Sequence, residues 1–121
     1  MTQLTLDGKP MVPPADTYRV KVLRHEHMKS ARGLMRRLVA EITHGLFAGE
    51  LVYKPLTMDV IGLGWLERTT QGLGIPMPKV SLGQMIDALL DAMVGSEGVA
   101  TTYHFAHKEG VFLTIRNLKR A

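Results

Sequence analysis

The chain has 121 residues, no cysteine, and fifteen Lys/Arg against eleven Asp/Glu, a formal charge of +4. That length makes one domain whose interior can hold it together without staples, and the missing cysteine excludes a disulfide framework and a thiolate metal site. No basic-then-apolar leader opens the sequence and no apolar run is long enough to span a bilayer, so a cytoplasmic protein without membrane contact is expected.

The charge is uneven. Residues 1–49 carry eight Lys/Arg and four Asp/Glu, residues 50–99 carry three and six, and residues 100–121 carry four and one. Basic ends around an acidic middle make one positive surface if the ends meet in space. Such a surface favours a polyanion, nucleic acid above all. A mixed, solubilising surface explains the same balance nearly as well.

Residues 1–16 read as an N-terminal arm, either flexible or an edge strand. Leu4-Thr5-Leu6 and Pro10-Met11-Val12 about Asp7-Gly8 suit a small hairpin, but Pro10, Pro13 and Pro14 argue against a central strand. Thr17 to Arg24 alternates, with Tyr18, Val20 and Val22 on one side and Arg19 and Lys21 on the other. That is the period of a half-buried strand. A helix is predicted over about His27 to Phe47, where Met28, Ala31, Met35, Leu38, Val39, Ile42 and Leu46 make an apolar stripe. Lys29, Arg32 and Arg36 form a basic row on another face, and Arg37 beside them can pair with Glu41. Such a row is most often a solvated face. Its functional reading is a line of phosphate contacts.

Leu51-Val52-Tyr53-Lys54 is a short strand closed by Pro55. A second helix follows, with Thr57 as N-cap, Asp59 in its positive first turn, and Leu56 with Ile61 as a staple. Met58, Ile61, Trp65, Leu66 and Thr69 form its inner face, and Gly72 or Gly74 ends it. The fullest signals lie between Val80 and Arg116. Ser81 with Gln84 makes a capping box, and Val80 with Met85 a staple. Leu82, Met85, Ile86, Leu89, Leu90, Met93 and Val94 then fall at helical spacing, and Gly95 is the stop. Val99 to Ala106 and Val111 to Arg116 read as two strands about the turn His107-Lys108-Glu109-Gly110. Tyr103 and Phe105 alternate on the first of them. Rings so placed can stack on unpaired bases, but covering the helices, together with Val111, Leu113 and Ile115, is their more ordinary use.

Gly62-Leu63-Gly64 lacks the third glycine of a dinucleotide fingerprint, because Glu67 stands there. These small residues read instead as room for a neighbouring helix or for Trp65. His25, His27, His104 and His107 have neither the spacing nor the cysteine partners of common metal sites. No nucleophile motif, phosphate loop or paired-carboxylate site is found. No enzyme activity, cofactor or metal is therefore expected.

From His27 on, the element order is helix, short strand, helix, helix, strand, turn, strand. That order resembles the winged-helix arrangement, in which three helices pack on a small sheet and the last hairpin is the wing. The expected class is α+β: a three-helix core with a C-terminal β-hairpin over residues 17–121, preceded by the arm. The resemblance implies a third helix, here Leu82 to Val94, in the major groove of DNA. Its polar face carries Gln84, Asp87 and Asp91 with no lysine or arginine, and carboxylates repel phosphates. Phosphate contact then falls to Arg19, Lys21, Arg24, Lys29, Arg32, Arg36 and Arg37, with Lys108 and Arg116 assisting. The expected function is a small non-enzymatic regulatory or accessory protein that binds nucleic acid, duplex DNA first. The alternative is a protein-interaction module, homodimer or inhibitor acting on a larger complex, of the kind phages and plasmids carry.

Overall fold

Val20 and Val22 on the first strand, Leu38, Ala40 and Ile42 on the second, and Val52 on the third all join one buried interior. Their two-residue spacing is that of strands with one face inward. The computed structural model describes residues 12–31, 33–107 and 110–121, with the backbone alone at His107. The described elements are β1 (Thr17–Ser30), β2 (Gly33–Ile42), β3 (Leu51–Thr57), α1 (Val60–Gly72), α2 (Leu82–Met93), β4 (Glu97–His107) and β5 (Gly110–Lys119). The strands close into a barrel in the order β1-β2-β3-β5-β4. All neighbours are antiparallel except β3 and β5, which run parallel and meet at Tyr53 and Thr114. After three sequential strands the chain returns through both helices to lay β4 beside β1. That is a Greek-key connection, and a five-stranded Greek-key barrel is the OB-type architecture.

This overturns the expected three-helix, winged-helix-like core. The stretch from His27 to Phe47 is not a helix. It holds the end of β1, a tight turn, all of β2 and a loop. Gly33 takes φ +105° where β2 begins, a conformation glycine adopts freely. Leu38 and Ile42 are buried in either reading, because apolar residues four apart satisfy both a helix and a strand. The basic row falls apart with the helix: Lys29 is exposed on β1 and Arg36 is buried on β2.

The remaining elements follow the sequence more closely. β1 starts at Thr17, as its alternation predicts, but runs on to Ser30. β3 does not stop at Pro55. It continues to Thr57, with Pro55 opposite Arg37 of β2. Single-point contact with β5 leaves room there for a residue without an N–H. The C-terminal hairpin forms as expected, from Val99 paired with Lys119 to His107 paired with Gly110.

Both helices belong to the β3–β4 connection. Asp59, not Thr57, caps α1, and its carboxylate accepts from the N–H groups of Ile61 and Gly62. These bonds and one from the Thr57 hydroxyl hold the Asp59 carboxyl below its ordinary pKa. Leu66 and Thr69 are buried as expected, while Ile61 is exposed. Gly62 is required by the close approach of the Thr57 carbonyl, which a Cβ would overlap. Gly62→Ala is therefore expected to destabilise the fold by about 1–3 kcal/mol, read as a lower midpoint in thermal unfolding. On α2 the Ser81 side chain makes no cap bond, so the capping box is not formed. Ile86, Leu89, Leu90 and Met93 bury against the barrel as the stripe predicts, and Leu82 stays exposed. Each buried side chain of this size contributes roughly 1.5–3 kcal/mol.

Residues 12–16 are tied to the barrel. Thr102 of β4 donates its N–H to the Asp16 carbonyl at 3.0 Å and its hydroxyl to the same oxygen at 2.6 Å. His104 Nε2 lies 2.7 Å from the Pro13 carbonyl. The candidate hairpin about Asp7-Gly8 lies outside the described residues.

Candidate nucleic-acid interface

The barrel's alternation turns a second set of side chains outward. Register lines up Arg24 (β1), Val39 (β2), Tyr53 (β3), Thr114 (β5) and Tyr103 (β4) as one row across all five strands. Rings and cations gather along it. The Arg37 guanidinium lies 4.8 Å from the Tyr53 ring centroid, and Phe112 meets Tyr53 edge to face at 5.9 Å. Phe105 pairs with Phe112 across β4 and β5 and is 48% exposed. Arg116 lies 4.8 Å over Tyr103. Lys54 lies 5.0 Å over Trp65 of α1, whose indole N–H donates to the Arg116 carbonyl at 3.0 Å.

Two hollows share Tyr53 and Phe112 as walls. One, about 230 Å³, continues toward Gly49, Leu51 and Val111; the other, about 100 Å³, continues toward Met28, Pro55 and Phe105. Together they make a discontinuous groove along the ringed face.

The charges on this face are of two kinds. Arg24 and Arg37 share Glu26, with Arg37 Nη2 at 2.6 Å and Arg24 Nε at 3.2 Å. The Arg37 hydrogen bond, opposed by burial and aided by Arg24, holds Glu26 below the usual carboxylate range. This trio keeps one net positive charge. Lys54 and Arg116 have no carboxylate partner among the described residues. Burial, then the nearby Arg116 charge, lowers the Lys54 pKa. Two neighbouring cations without a counter-ion repel each other, and a bound anion relieves that repulsion.

The basic residues singled out in the sequence scatter. Arg24, Arg37 and Arg116 come together on the ringed face. Lys29 is exposed near the β1–β2 turn. Arg19 and Lys21 are exposed at the start of β1, where Lys21 lies between Glu41 and Glu97 on the neighbouring strands. Arg36 is 8% exposed and binds Asp87 of α2, Nε to Oδ1 at 2.9 Å. It takes no part in the outer face. Arg32 and Lys108 lie outside the described residues. Nor is the acidic side of α2 an open docking face. Asp87 engages Arg36, and Asp91 lies 2.6 Å from His25 Nε2.

Sequence reasoning placed Tyr103 and Phe105 on one side of a strand but assigned them to cover helices. Leu113 and Ile115 are buried as expected, whereas Phe105 and Val111 are exposed. Tyr53, Lys54, Trp65 and Phe112 were not singled out for binding. Tyr53 and Lys54 offered a local signal, an aromatic next to a cation on a short strand.

Among the described residues no group of three His, Asp or Glu side chains is placed to hold a metal, and no helix is long and apolar enough to cross a membrane. No protein-family model matches the chain, and no curated protein matches it.

Proposed function

We propose that this protein binds single-stranded nucleic acid on the outer face of the barrel. The observation that carries the reading is the ringed row itself: Tyr53, Tyr103, Phe105 and Phe112 interleaved with Arg37, Arg116 and Lys54. Proteins that hold single strands combine aromatic platforms for bases with cations that follow the phosphates. The cations sit at the rims of the rings rather than in a continuous basic ridge, which suits splayed bases better than a closed duplex. Five-stranded Greek-key barrels also bind oligonucleotides on the β2–β3 face and at the β1–β2 and β4–β5 loops. That analogy of fold is secondary to the chemistry of the face. The expectation of a small, non-enzymatic nucleic-acid-binding accessory protein is kept in this form, with single strands in place of duplex DNA.

The test is binding of labelled single strands of about 12 nucleotides, within the span one barrel of this type covers, against the same sequence as a duplex. Single strands are expected to bind at least about tenfold more tightly, with affinity falling steeply as salt rises. Equal affinity for both forms, or no binding at low salt, overturns the reading.

A further inference from the structure

Beyond general affinity for single strands, we infer that the smaller hollow on the ringed face is a slot for one pyrimidine base. The inference rests on the single-strand reading above and adds a ligand preference to it. Tyr53, Phe105 and Phe112 supply aromatic walls, and Met28 and Pro55 add apolar ones. The volume is about 100 Å³. An apolar cavity of about 150 Å³ takes a benzene ring, so this slot, open to the surface, holds one six-membered ring and not a fused bicyclic purine.

The polar groups match. Thr114 lines the slot and is 3% exposed, and its hydroxyl makes one long bond, 3.4 Å to the Phe112 carbonyl. A buried hydroxyl so weakly engaged is free to turn and donate to a base carbonyl, and every pyrimidine carries one at its second ring position. Arg37 stands at the same slot. Glu26 takes its Nε and Nη2, which fixes the guanidinium against Tyr53 and keeps that wall in place. A purine kept out of the slot forfeits one stacked base, a loss of roughly 5- to 100-fold in affinity.

The deciding experiment compares oligothymidylate with oligodeoxyadenylate of equal length, on the wild-type chain and on Phe105→Ala. Phe105 is half exposed on the β4–β5 hairpin, so its truncation leaves the core intact. The wild type is expected to favour oligothymidylate by about tenfold or more. In F105A that preference is expected to shrink below about twofold, with the salt slope unchanged. Equal wild-type binding to both strands overturns the slot and leaves the single-strand reading standing. So does a preference that survives in F105A, because it then comes from the strands' own stacking. Thr114→Val is expected to weaken oligothymidylate alone; equal weakening of both strands, or none, removes the hydroxyl contact. Failure to bind either strand overturns both readings together.

Discussion

The double variant Lys54→Gln with Arg116→Gln is expected to bind a single strand about 10- to 30-fold more weakly near 0.1 M salt, with the salt slope reduced by about 1.4. Each phosphate neutralised on a single strand accounts for roughly 0.7 of that slope. Neither cation is spent on a carboxylate among the described residues, so both charges are available to the ligand. The same lack of partners means that their removal breaks no ion pair. Thermal stability should therefore hold while affinity falls, a separation that a merely structural role would not produce. Trp65, the one tryptophan of the chain, lies against Lys54 and bonds the Arg116 carbonyl. Its fluorescence should report binding directly. An unchanged salt slope in the double variant would show that phosphates pass elsewhere.

The second large effect is on stability. Asp87→Ala is expected to cost about 1–2 kcal/mol, because it leaves Arg36 buried without its anion. The figure lies below the roughly 3–5 kcal/mol of a fully buried pair, since water reaches the Asp87 carboxylate, 46% exposed, and screens the attraction. The bond to Arg36 holds Asp87 below its ordinary pKa of 3.8. A carboxyl with a depressed folded pKa contributes its stability above the unfolded value and loses it as pH falls through the folded one. The wild type should therefore lose this contribution only below about pH 4, and D87A should show a smaller acid-dependent drop. Denaturant unfolding at neutral pH and near pH 3 measures both. Arg36→Met should unfold at close to the wild-type midpoint and bind single strands normally, because Arg36 faces α2 and not the ringed row. A large loss of binding in R36M would place Arg36 on the interface after all.

The two variants mark where local sequence carried the argument and where it did not. The α2 stripe of Ile86, Leu89, Leu90 and Met93 was legible because a helix makes its bonds within itself, so its pattern needs no partner. The C-terminal hairpin was legible for a related reason. Its strands are neighbours in sequence, and the turn between them is short. The alternation at Thr17 and the run at Leu51 fixed where two more strands begin. The stretch from His27 to Ile42 was not legible. Leu38-Val39-Ala40 is apolar without a break, which fits a helix and also a strand buried on both faces. Two local signs stood against the helix: the missing N-cap and Gly33, which costs about 1 kcal/mol inside one.

What decided the matter was partnership at a distance. Val39 pairs with Arg24 on one side and Tyr53 on the other, and neither lies within a helical turn of it. The site shows the same division. Composition pointed to a basic surface and alternation put Tyr103 and Phe105 on one side of their strand. Only closure of the barrel set Tyr53 beside Thr114, and with it brought Arg37, Phe112 and Arg116 onto a single face. Strand hydrogen bonds join residues far apart in the chain, so a local pattern names the strands but not their neighbours. It is the neighbours that turn four separate rings and three cations into one surface.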